Sequence, residues 1–189
     1  RRLGSIGDAG AFSFNYYKII SSGEGGALIT DNRIIYEKAL IYHDSGAIVF
    51  FGSQLEGISE EPFAGAEYRA NEIIGAILVE QLKKLDSILI DLRHNKKILC
   101  EIIKKKYNIV TSNDIHGDCG TTVALRFGTE NEARAFIRNT EQIIRSWTPI
   151  DTGKHVYTHW PFINNRRGAC HPSMDPFKMK ENEGLGQED

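Results

Sequence analysis

The sequence has little net charge, few cysteines and no long apolar run, and each shortage removes a class of protein. Its 23 Lys and Arg residues nearly balance its 25 Asp and Glu residues, which gives a formal net charge of -2. Such a chain has no overall field to attract a nucleic acid or an anionic membrane surface. We therefore expect neither of these partners.

The cysteines indicate free thiols in a reducing compartment. There are three, Cys100, Cys119 and Cys170, which is an odd number at wide spacings without a CxxC pair. No stretch is apolar over the roughly 20 residues that a membrane-spanning helix needs. The opening RRLGSIGDAG is not followed by a signal-peptide core. Together with a hydrophobic content of 41%, these observations predict an ordinary globular protein of the cytoplasm.

The first two of three regions differ in hydrophobic periodicity. Residues 1–68 alternate apolar runs such as AFSF and GALIT with glycine-rich and acidic turns, which predicts strands joined by loops. Residues 69–106 carry a stripe of apolar residues at spacings of four or three, which predicts one long amphipathic helix. The stripe consists of Ile74, Leu78, Leu82, Leu85, Leu89 and Leu92. It is most simply core, and a dimer seam is the alternative.

The third region, residues 107–189, is predicted to be a small α+β unit. TTVALRF indicates a strand, ENEARAFIRNTEQIIRSW a helix capped by Thr129 or Asn131, and HVYTHW an aromatic strand. The run PSMDPF predicts irregular structure. Arg1 leads almost at once into a strand, and the tail ENEGLGQED contains no element. We therefore expect the chain to be a piece of a longer protein.

Residues 10–26, GAFSFNYYKIISSGEGG, place one lysine between an aromatic strand and a glycine-rich loop. A lysine becomes a nucleophile when its ammonium is desolvated, and neighbouring apolar side chains would do this for Lys18. Ser13 supplies a hydroxyl for a phosphate, and the backbone at Gly23, Gly25 and Gly26 allows close approach of an anion. Together these groups favour pyridoxal phosphate. On spacing alone, Lys18 is more often a solvated surface residue.

The glycine loop fits neither of two common phosphate-binding patterns. SSGEGG matches neither G-x-x-x-x-G-K-[ST] nor G-x-G-x-x-G. By contrast, GDAGAFSFNYYKIISSGEGGALITDN resembles the cofactor-lysine segment of the DegT/StrS family of sugar aminotransferases, in which GD, SF, a lysine and GEGG occur in this order. EYRANEIIGAILVEQLKKLD resembles the family's connecting helix, and HVYTHWPFINNRRGACHP resembles a small-domain segment of some members.

The resemblance implies an α/β protein with the fold type I of pyridoxal-phosphate-dependent transferases. Residues 1–68 then correspond to the C-terminal part of the large domain, residues 69–106 to the connecting helix and residues 107–189 to the small C-terminal domain. The whole protein would be about twice this length. It would act as a homodimer, because the family's active site borrows residues across the interface.

The resemblance also assigns residues to the cofactor. Lys18 matches the Schiff-base lysine, which in the family also transfers a proton between the substrate and the cofactor. Ser13 matches the residue that hydrogen-bonds the phosphate. Arg69 matches a residue that reaches the phosphate from the partner subunit. Glu67 stands where asparagine is common, and its charge would repel a phosphate. We expect Glu67 to turn away, to pair with Arg69 or to serve another role, with Asn71 as a substitute contact.

The implied reaction moves an amino group from a donor, usually glutamate, to a keto- or aldehydo-sugar. A related class has histidine in place of the lysine and carries out dehydration, so Lys18 favours transamination. The NYYK and YHDSG runs and the THWPF…RRGACHP tail resemble family members that act on a free acidic sugar. The resemblance implies the 8-oxo form of Kdo, in lipopolysaccharide biosynthesis, as the acceptor. The alternatives are a nucleotide-sugar acceptor and a catalytically silent protein with a binding or regulatory role.

An acidic sugar needs a cationic site, and the third region offers one. Arg166, Arg167 and His159 are expected to meet the carboxylate, because arginine binds carboxylates through two parallel hydrogen bonds. The alternative is a solvated turn. No metal site is expected, since an HVYTH strand would hold His155 and His159 about 13 Å apart. His43 with Asp44 indicates either a substrate loop or a hydrogen-bonded loop pair.

Overall fold

The computed structural model describes residues 2–46 and 57–183. The chain divides into two compact units, Arg1–Ala124 and Leu125–Asp189, which are described separately below. The functional domain boundaries at residues 68 and 106 stay a prediction. In the described part of the chain, no helix has the length and apolarity needed to cross a membrane.

The first unit begins with an antiparallel pair of strands. Strand β1 (Gly10–Ser13) pairs with strand β2 (Gly26–Ile29), so that Gly10 lies opposite Ile29 and Ser13 lies opposite Gly26. These strands confirm the predictions made from AFSF and GALIT. A Cβ on Gly26 would lie 2.8 Å from the carbonyl oxygen of Phe12. The close strand approach therefore requires glycine at this position.

Helix α1 (Arg33–His43) follows, where the sequence analysis predicted only strands and loops. That prediction is wrong for these eleven residues. The Asn32 side chain caps the helix by accepting hydrogen bonds from the amides of Ile34 and Ile35. Crowded apolar residues along RIIYEKALIYH obscure the helical period. Ile41 on this helix is the buried hydrophobic residue of the described chain.

Helix α2 (Glu72–Ile103) confirms the predicted long helix. Asn71 caps the start of the helix by accepting a hydrogen bond from the Ile74 amide. Lys104 follows the end of the helix, where a positive charge interacts favourably with the negative end of the helix dipole. No side chain of α2 is fully buried among the described residues, and Leu82 in the apolar stripe is 56% exposed. The stripe therefore does not form a closed core within the described chain. The dimer seam stays a prediction.

The loop after α2 is fastened back onto that helix. It follows strand β3 (Asn108–Val110) and carries Asp118. The Asp118 carboxylate accepts hydrogen bonds from Lys96 Nζ at 2.8 Å and the Gly120 amide at 2.7 Å, and its carbonyl accepts one from Arg93 Nε at 2.8 Å. The Lys96 hydrogen bond, followed by that of the Gly120 amide, lowers the pKa of Asp118. The loop is thus held by two charged residues of α2, Arg93 and Lys96.

Strand β4 (Ala124–Arg126) lies within the predicted TTVALRF strand, and helix α3 (Glu130–Thr140) follows it. Thr129 and Glu132 form a capping box, which decides between the two predicted caps in favour of Thr129. The prediction that this helix continues to Trp147 is wrong. The amides of Ile143 and Ile144 both donate to the Thr140 carbonyl at 2.8 Å, so a turn ends the helix.

The predicted HVYTHW strand is also wrong. Tyr157–His159 form a 3-10 turn, followed by the short helix α4 (Pro161–Asn164). Pro161 starts this helix with a preset backbone angle, and the Trp160 and Phe162 rings stack with centroids 5.7 Å apart. Local contacts thus outweigh the strand preference of the aromatic residues. Four further 3-10 turns lie in the described part of this unit: Pro149–Thr152, Pro172–Met174, Pro176–Lys178 and Lys180–Asn182.

Candidate active site

The lysine turn, defined here as residues 14–25, connects β1 to β2. Its ends are closed by a hydrogen bond from the Phe14 amide to the Gly25 carbonyl at 2.8 Å, and the Ser22 amide donates to the Phe14 carbonyl at 3.0 Å. Asn15 forms a bridge with Gly23. The two ends of the turn are therefore hydrogen-bonded to each other, as in a strand pair, and Lys18 lies between them.

A compact turn joins Ser13 to Lys18. The Lys18 amide donates to the Asn15 carbonyl at 3.0 Å, and the Tyr17 amide donates to Asn15 Oδ1 at 3.2 Å. The Asn15 amide in turn donates to Ser13 Oγ at 3.4 Å. Ser13 therefore acts as an acceptor in the turn and keeps its hydroxyl proton for an external anion. The two predicted cofactor residues belong to one hydrogen-bonded arrangement.

The apolar walls expected around Lys18 do not enclose it in the described chain. Lys18 is exposed, and Tyr16 and Tyr17, whose rings meet edge-on at 5.3 Å, are 77% and 75% exposed. Desolvation of the Lys18 amine therefore requires surfaces beyond those of the described residues. An exposed amine and a hydroxyl with a proton to donate still match the chemistry of an aldehyde cofactor with a phosphate.

The glycines of the lysine turn are required by its backbone conformation. Gly23 has a φ of +87° and Gly25 a φ of +142°, which residues with side chains rarely adopt. A Cβ on Gly23 would meet nothing within 4 Å, so its conformation rather than crowding requires glycine. The Gly23 amide donates to Ser21 Oγ at 3.0 Å. Of the amides proposed for anion binding, this one is used by the turn itself.

A groove of about 600 Å³ begins at the end of the lysine turn. It is lined by Gly25, Gly26, Ala27, Leu28, Tyr36, Ala39, Leu40, His43 and Tyr68. His43 Nδ1 lies 2.7 Å from the Leu40 carbonyl oxygen, and a carbonyl only accepts, so Nδ1 carries a proton. The groove thus joins strand β2, helix α1 and the segment before α2 in one wall.

A buried glutamate on α1, which the sequence analysis missed, holds the segment that returns to this wall. Glu37 is 1% exposed and accepts hydrogen bonds from Arg33 Nε, from the Ser59 amide and hydroxyl, and from the Glu60 amide. Burial raises the pKa of Glu37, but these hydrogen bonds outweigh burial and lower it to about 2. The available signal was a charge between Ile34 and Ile41 on one face of α1.

The YHDSG and GAEYR runs, distant in sequence, meet beside the groove. We call the turn 42–46 and the segment 65–69 the Asp44–Arg69 cluster. Arg69 Nε forms ion pairs with Asp44 Oδ1 and, at 2.6 Å, with Glu67 Oε1, while Ser45 Oγ donates to Glu67 Oε2 at 3.2 Å. Of the roles expected for Glu67, pairing with Arg69 is confirmed. The loop-pair interpretation of His43 with Asp44 is replaced by a pair of Asp44 with Arg69.

This pairing bears on the predicted phosphate contact. Two carboxylates surround the single guanidinium of Arg69, so the three side chains carry a net charge of about -1. A phosphate at this guanidinium has to compete with both carboxylates. The contact from the partner subunit stays a prediction, and so does the substitute contact by Asn71, whose side chain caps α2.

The residues predicted to bind substrate lie in the second unit. His159 ends the 3-10 turn Tyr157–His159, and Arg166 and Arg167 follow α4. All three are exposed, and Arg166 has a φ of +46°, which marks a tight turn. The amides of Arg166 and Arg167 donate to the carbonyls of Ile163 and Phe162 at 3.0 and 2.8 Å. Their role toward a substrate stays a prediction.

The histidines of this unit make local hydrogen bonds. His155 Nδ1 lies 2.7 Å from Thr152 Oγ1, and His171 Nδ1 lies 2.7 Å from Ser173 Oγ. Within residues 2–46 and 57–183, no group of three or more His, Cys, Asp or Glu side chains is arranged to hold a metal ion. The spacing argument made from an extended HVYTH segment is wrong, because Tyr157–His159 within this segment form a 3-10 turn.

The hairpin, its lysine and the long helix that follows all lie within one family match. The sequence profile of the DegT/DnrJ/EryC1/StrS aminotransferases matches residues 1–161. The chain belongs to the DegT/DnrJ/EryC1/StrS aminotransferase family. The matched residues include the lysine turn, the Asp44–Arg69 cluster, the whole of helices α2 and α3, and His159. The match confirms the predicted family.

Two curated relatives of the family are similar to the chain. L-glutamine:2-deoxy-scyllo-inosose aminotransferase of Streptoalloteichus tenebrarius is 29% identical over 113 residues, which are 56% of this chain and 26% of that protein. GDP-perosamine synthase of Escherichia coli O157:H7 is 31% identical over 106 residues, again 56% of this chain and 26% of that protein. The matched segment is thus about a quarter of each relative's length.

A solved structure shows the same fold. E. coli GDP-4-keto-6-deoxy-D-mannose-3-dehydratase with bound hydrated PLP superposes with a TM-score of 0.65 at 23% identity, covering 81% of this chain and 43% of that protein. The predicted fold, part of a pyridoxal-phosphate-dependent transferase of the α/β class, is confirmed. The chain spans less than half of that structure, so the reaction of the whole protein is treated below as a proposal.

Proposed function

We propose that this family member transfers an amino group from glutamate or glutamine to a keto- or aldehydo-sugar, with pyridoxal phosphate as its cofactor. One observation carries the proposal: Ser13 and Lys18 lie on a single hydrogen-bonded turn between β1 and β2, within the segment that matches an aminotransferase family. The backbone of Lys18 is thereby tied to the Ser13 hydroxyl through Asn15, which brings the two residue types that a cofactor with both a phosphate and an aldehyde requires onto one turn.

The cofactor, when bound, supplies an aldehyde carbon for an amine and a ring that withdraws electrons from the amino carbon. Ser13 Oγ donates its proton to a phosphate oxygen while the Asn15 amide keeps the hydroxyl oriented. The Lys18 amine would hold the aldehyde carbon, and in its neutral form it would also be the base that moves a proton at the substrate carbon.

Lys18 also supports transamination over dehydration. The fold neighbour is a dehydratase by name, and a likeness at this level of identity concerns the fold alone. In the dehydratase class that resembles this family, histidine stands at the position of Lys18. A primary amine binds the cofactor covalently in a way that imidazole does not. The residue at position 18 therefore favours aminotransfer.

The acceptor is proposed at the level of a sugar or cyclitol with a carbonyl group. The relatives' names contain 2-deoxy-scyllo-inosose and GDP-perosamine, which favours ketocyclitol and nucleotide-sugar acceptors over the 8-oxo form of Kdo. The Kdo derivative is retained as a third acceptor because Arg166 and Arg167 offer a site for its carboxylate. The Arg166→Ala/Arg167→Ala pair should impair an acidic acceptor and spare a neutral one.

We further propose that the whole protein is a cytoplasmic homodimer. Support comes from the exposure of Lys18, whose desolvation needs additional surface, and from the half-exposed stripe of α2. In such a dimer, Arg69 of one subunit would reach the phosphate bound near Lys18 of the other. This contact requires the guanidinium to leave at least one of its two carboxylate partners.

A chemical trapping experiment on the full-length protein tests the function. The purified protein is incubated with pyridoxal phosphate, reduced with borohydride and digested, and the Lys18 peptide is examined by mass spectrometry. We expect a cofactor adduct on Lys18 and none in Lys18→Ala. Lys83→Ala, which removes an exposed lysine of α2, is the matched control and should retain the Lys18 adduct. Absence of the adduct on the wild-type Lys18 peptide overturns the proposal.

An activity screen then tests the acceptor. Glutamate and glutamine are each paired with 2-deoxy-scyllo-inosose, GDP-4-keto-6-deoxymannose and the 8-oxo form of Kdo, and the deaminated donor is measured. Product with one acceptor identifies the substrate class, and Lys18→Ala should abolish it. Turnover that persists in Lys18→Ala contradicts the assigned role of the lysine. An adduct without turnover on any acceptor supports the catalytically silent alternative.

A further inference from the structure

The Asp44–Arg69 cluster joins two segments through their backbones as well as their charges. The Ser45 amide donates to the Ala66 carbonyl at 3.1 Å, the Ala66 amide to the Tyr42 carbonyl at 2.7 Å and the Tyr68 amide to the His43 carbonyl at 2.8 Å. This ladder aligns the turn that ends α1 with the segment that leads to α2. Side chains on both segments are therefore positioned by one arrangement.

Close approach and backbone strain show that this arrangement is tightly determined. A Cβ on Gly65 would lie 2.3 Å from the Tyr42 carbonyl oxygen, so only glycine fits there. Gly46 has a φ of +71°, and Ser45, which has a side chain, has a φ of +56°. A left-handed conformation in serine persists only where its surroundings impose it. The ion pairs on Arg69 are part of those surroundings.

The two carboxylates on Arg69 are not equivalent. The Asp44 side chain is 7% exposed and that of Glu67 is 58% exposed. Among the described residues, no hydrogen bond of normal geometry reaches Asp44 Oδ1, so the ion pair with Arg69 compensates this buried charge. Removal of a cation from a buried carboxylate is strongly destabilising, whereas an exposed ion pair contributes little. Arg69 is therefore held by Asp44 more than by Glu67.

The cluster connects to the lysine turn through the groove. His43 and Tyr68, the residues next to Asp44 and Glu67, line this groove together with Gly25, the last residue of the lysine turn. The Tyr42 and Tyr68 rings contact each other, with centroids 6.0 Å apart, across the two segments. A shift between the two segments consequently alters the wall that starts at the base of the lysine turn.

We propose that Asp44 is a positioning residue for the cofactor site, an inference that rests on the proposed function. Its buried carboxylate holds Arg69, and Arg69 holds the segment 65–69 against the turn 42–46. Through His43 and Tyr68, this contact maintains the groove wall next to the lysine turn in the shape that binding of pyridoxal phosphate at Lys18 requires. Glu67, exposed on the same guanidinium, is dispensable for this task.

The test measures cofactor affinity rather than activity. Full-length apoprotein is titrated with pyridoxal phosphate, the adduct is trapped with cyanoborohydride, and the Lys18 peptide is quantified by mass spectrometry. We expect Asp44→Asn, which keeps the shape and removes the charge, to raise the apparent Kd by about tenfold or more. Glu67→Gln is the matched control on the same guanidinium and should change Kd by less than about threefold.

A second measurement separates positioning from a purely structural role. Thermal unfolding is followed for Asp44→Asn, Arg69→Met and the double variant. Arg69→Met should lower Tm more than the double variant does, because it alone leaves the buried charge without a cation. If Asp44→Asn lowers Tm while the Kd of pyridoxal phosphate stays at the wild-type value, the positioning role is overturned. A tighter Kd, or equal effects of Asp44→Asn and Glu67→Gln, also overturns it.

Failure of the proposed function gives a different result. If wild-type Lys18 forms no adduct at any concentration of pyridoxal phosphate, the aminotransferase proposal fails and Asp44 has no cofactor site to position. The unfolding cycle then reports on the Asp44–Arg69 contact alone. If additive Tm changes accompany that missing adduct, both the function and the ion-pair argument are wrong.

Discussion

The buried charged residues of the described chain differ from the residues that are proposed to bind the cofactor, which are exposed. The buried charged side chains of the described residues are Glu37, Asp44 and Asp175, and each is held by nearby donors or a cation. Lys18 and Ser13, which are proposed to bind the cofactor, are exposed. Buried carboxylates are retained only when paired or hydrogen-bonded. At the residue scale, burial therefore identifies the carboxylates that stabilise the fold. The proposed cofactor residues are identified instead by their position in the sequence motif.

Stability should depend on the ionisation of Glu37. Its pKa in the folded protein is about 2, below the ordinary value of 4.5, so its contribution is complete above about pH 4.5 and is lost as the pH falls toward 2. We expect Glu37→Gln to lower Tm at pH 6 and the gap from wild type to narrow between pH 4.5 and 2.5. Thermal unfolding at a series of pH values measures this gap.

An exposed glutamate provides the comparison for this pH series. Glu101→Gln, on the solvent side of α2, should give a small Tm difference that does not change over the same interval. A gap between Glu37→Gln and wild type that stays constant down to pH 2.5 would show that the hydrogen bonds from Ser59 and Glu60 do not favour the charged form.

At the scale of elements, caps determine where helices begin. Asn32, Asn71 and Thr129 each accept hydrogen bonds from amides in the first turn of the helix that follows. The sequence pattern located α2 and the start of α3, because their apolar periods are clear and a cap precedes each. It missed α1, where seven of eleven residues are apolar or aromatic and no helical face stands out.

The cap of α3 can be tested by comparing the two residues that the sequence proposed. Thr129→Ala removes the side chain that accepts the Glu132 amide, and should lower the free energy of unfolding by about 0.5 to 2 kcal/mol. Asn131→Ala, within the first turn, should have no effect or a small stabilising one, since alanine is the better helix former. Chemical denaturation of the full-length protein measures both.

The reverse order of these two effects would show that Asn131 is the effective cap in solution. Equal and small effects would instead show that the capping box makes little difference to α3, because tertiary packing rather than the first turn determines the stability of the helix.

At the scale of the whole molecule, the described chain buries little apolar surface of its own. Ile41 is the fully buried hydrophobic residue among residues 2–46 and 57–183, and α2 has no fully buried side chain in that part of the chain. Exposed apolar area on this scale favours association with further protein surface. Additional chain, a second copy or both would provide that surface.

The 189 residues alone should therefore bind hydrophobic dyes. We expect this segment, expressed by itself, to bind ANS strongly and to unfold with low cooperativity, whereas the full-length protein binds the dye weakly and unfolds cooperatively. Fluorescence with ANS and calorimetry measure the two properties, and sedimentation shows whether a second copy accompanies the change. Weak dye binding and a sharp transition in a monomeric 189-residue segment would contradict this expectation.

The sequence by itself determined the local features: the hairpin strands, the long helix, and the motif around Lys18 that identifies the family. These depend on neighbours in the chain, so spacing and residue type are sufficient to predict them. Only the tertiary structure decided that Glu67 and Asp44 share Arg69, and that Glu37 binds the amides of residues 59 and 60. Apart from the Glu67–Arg69 pair, these contacts join residues 22 to 25 positions apart, and composition and periodicity carry no information about which distant charges meet.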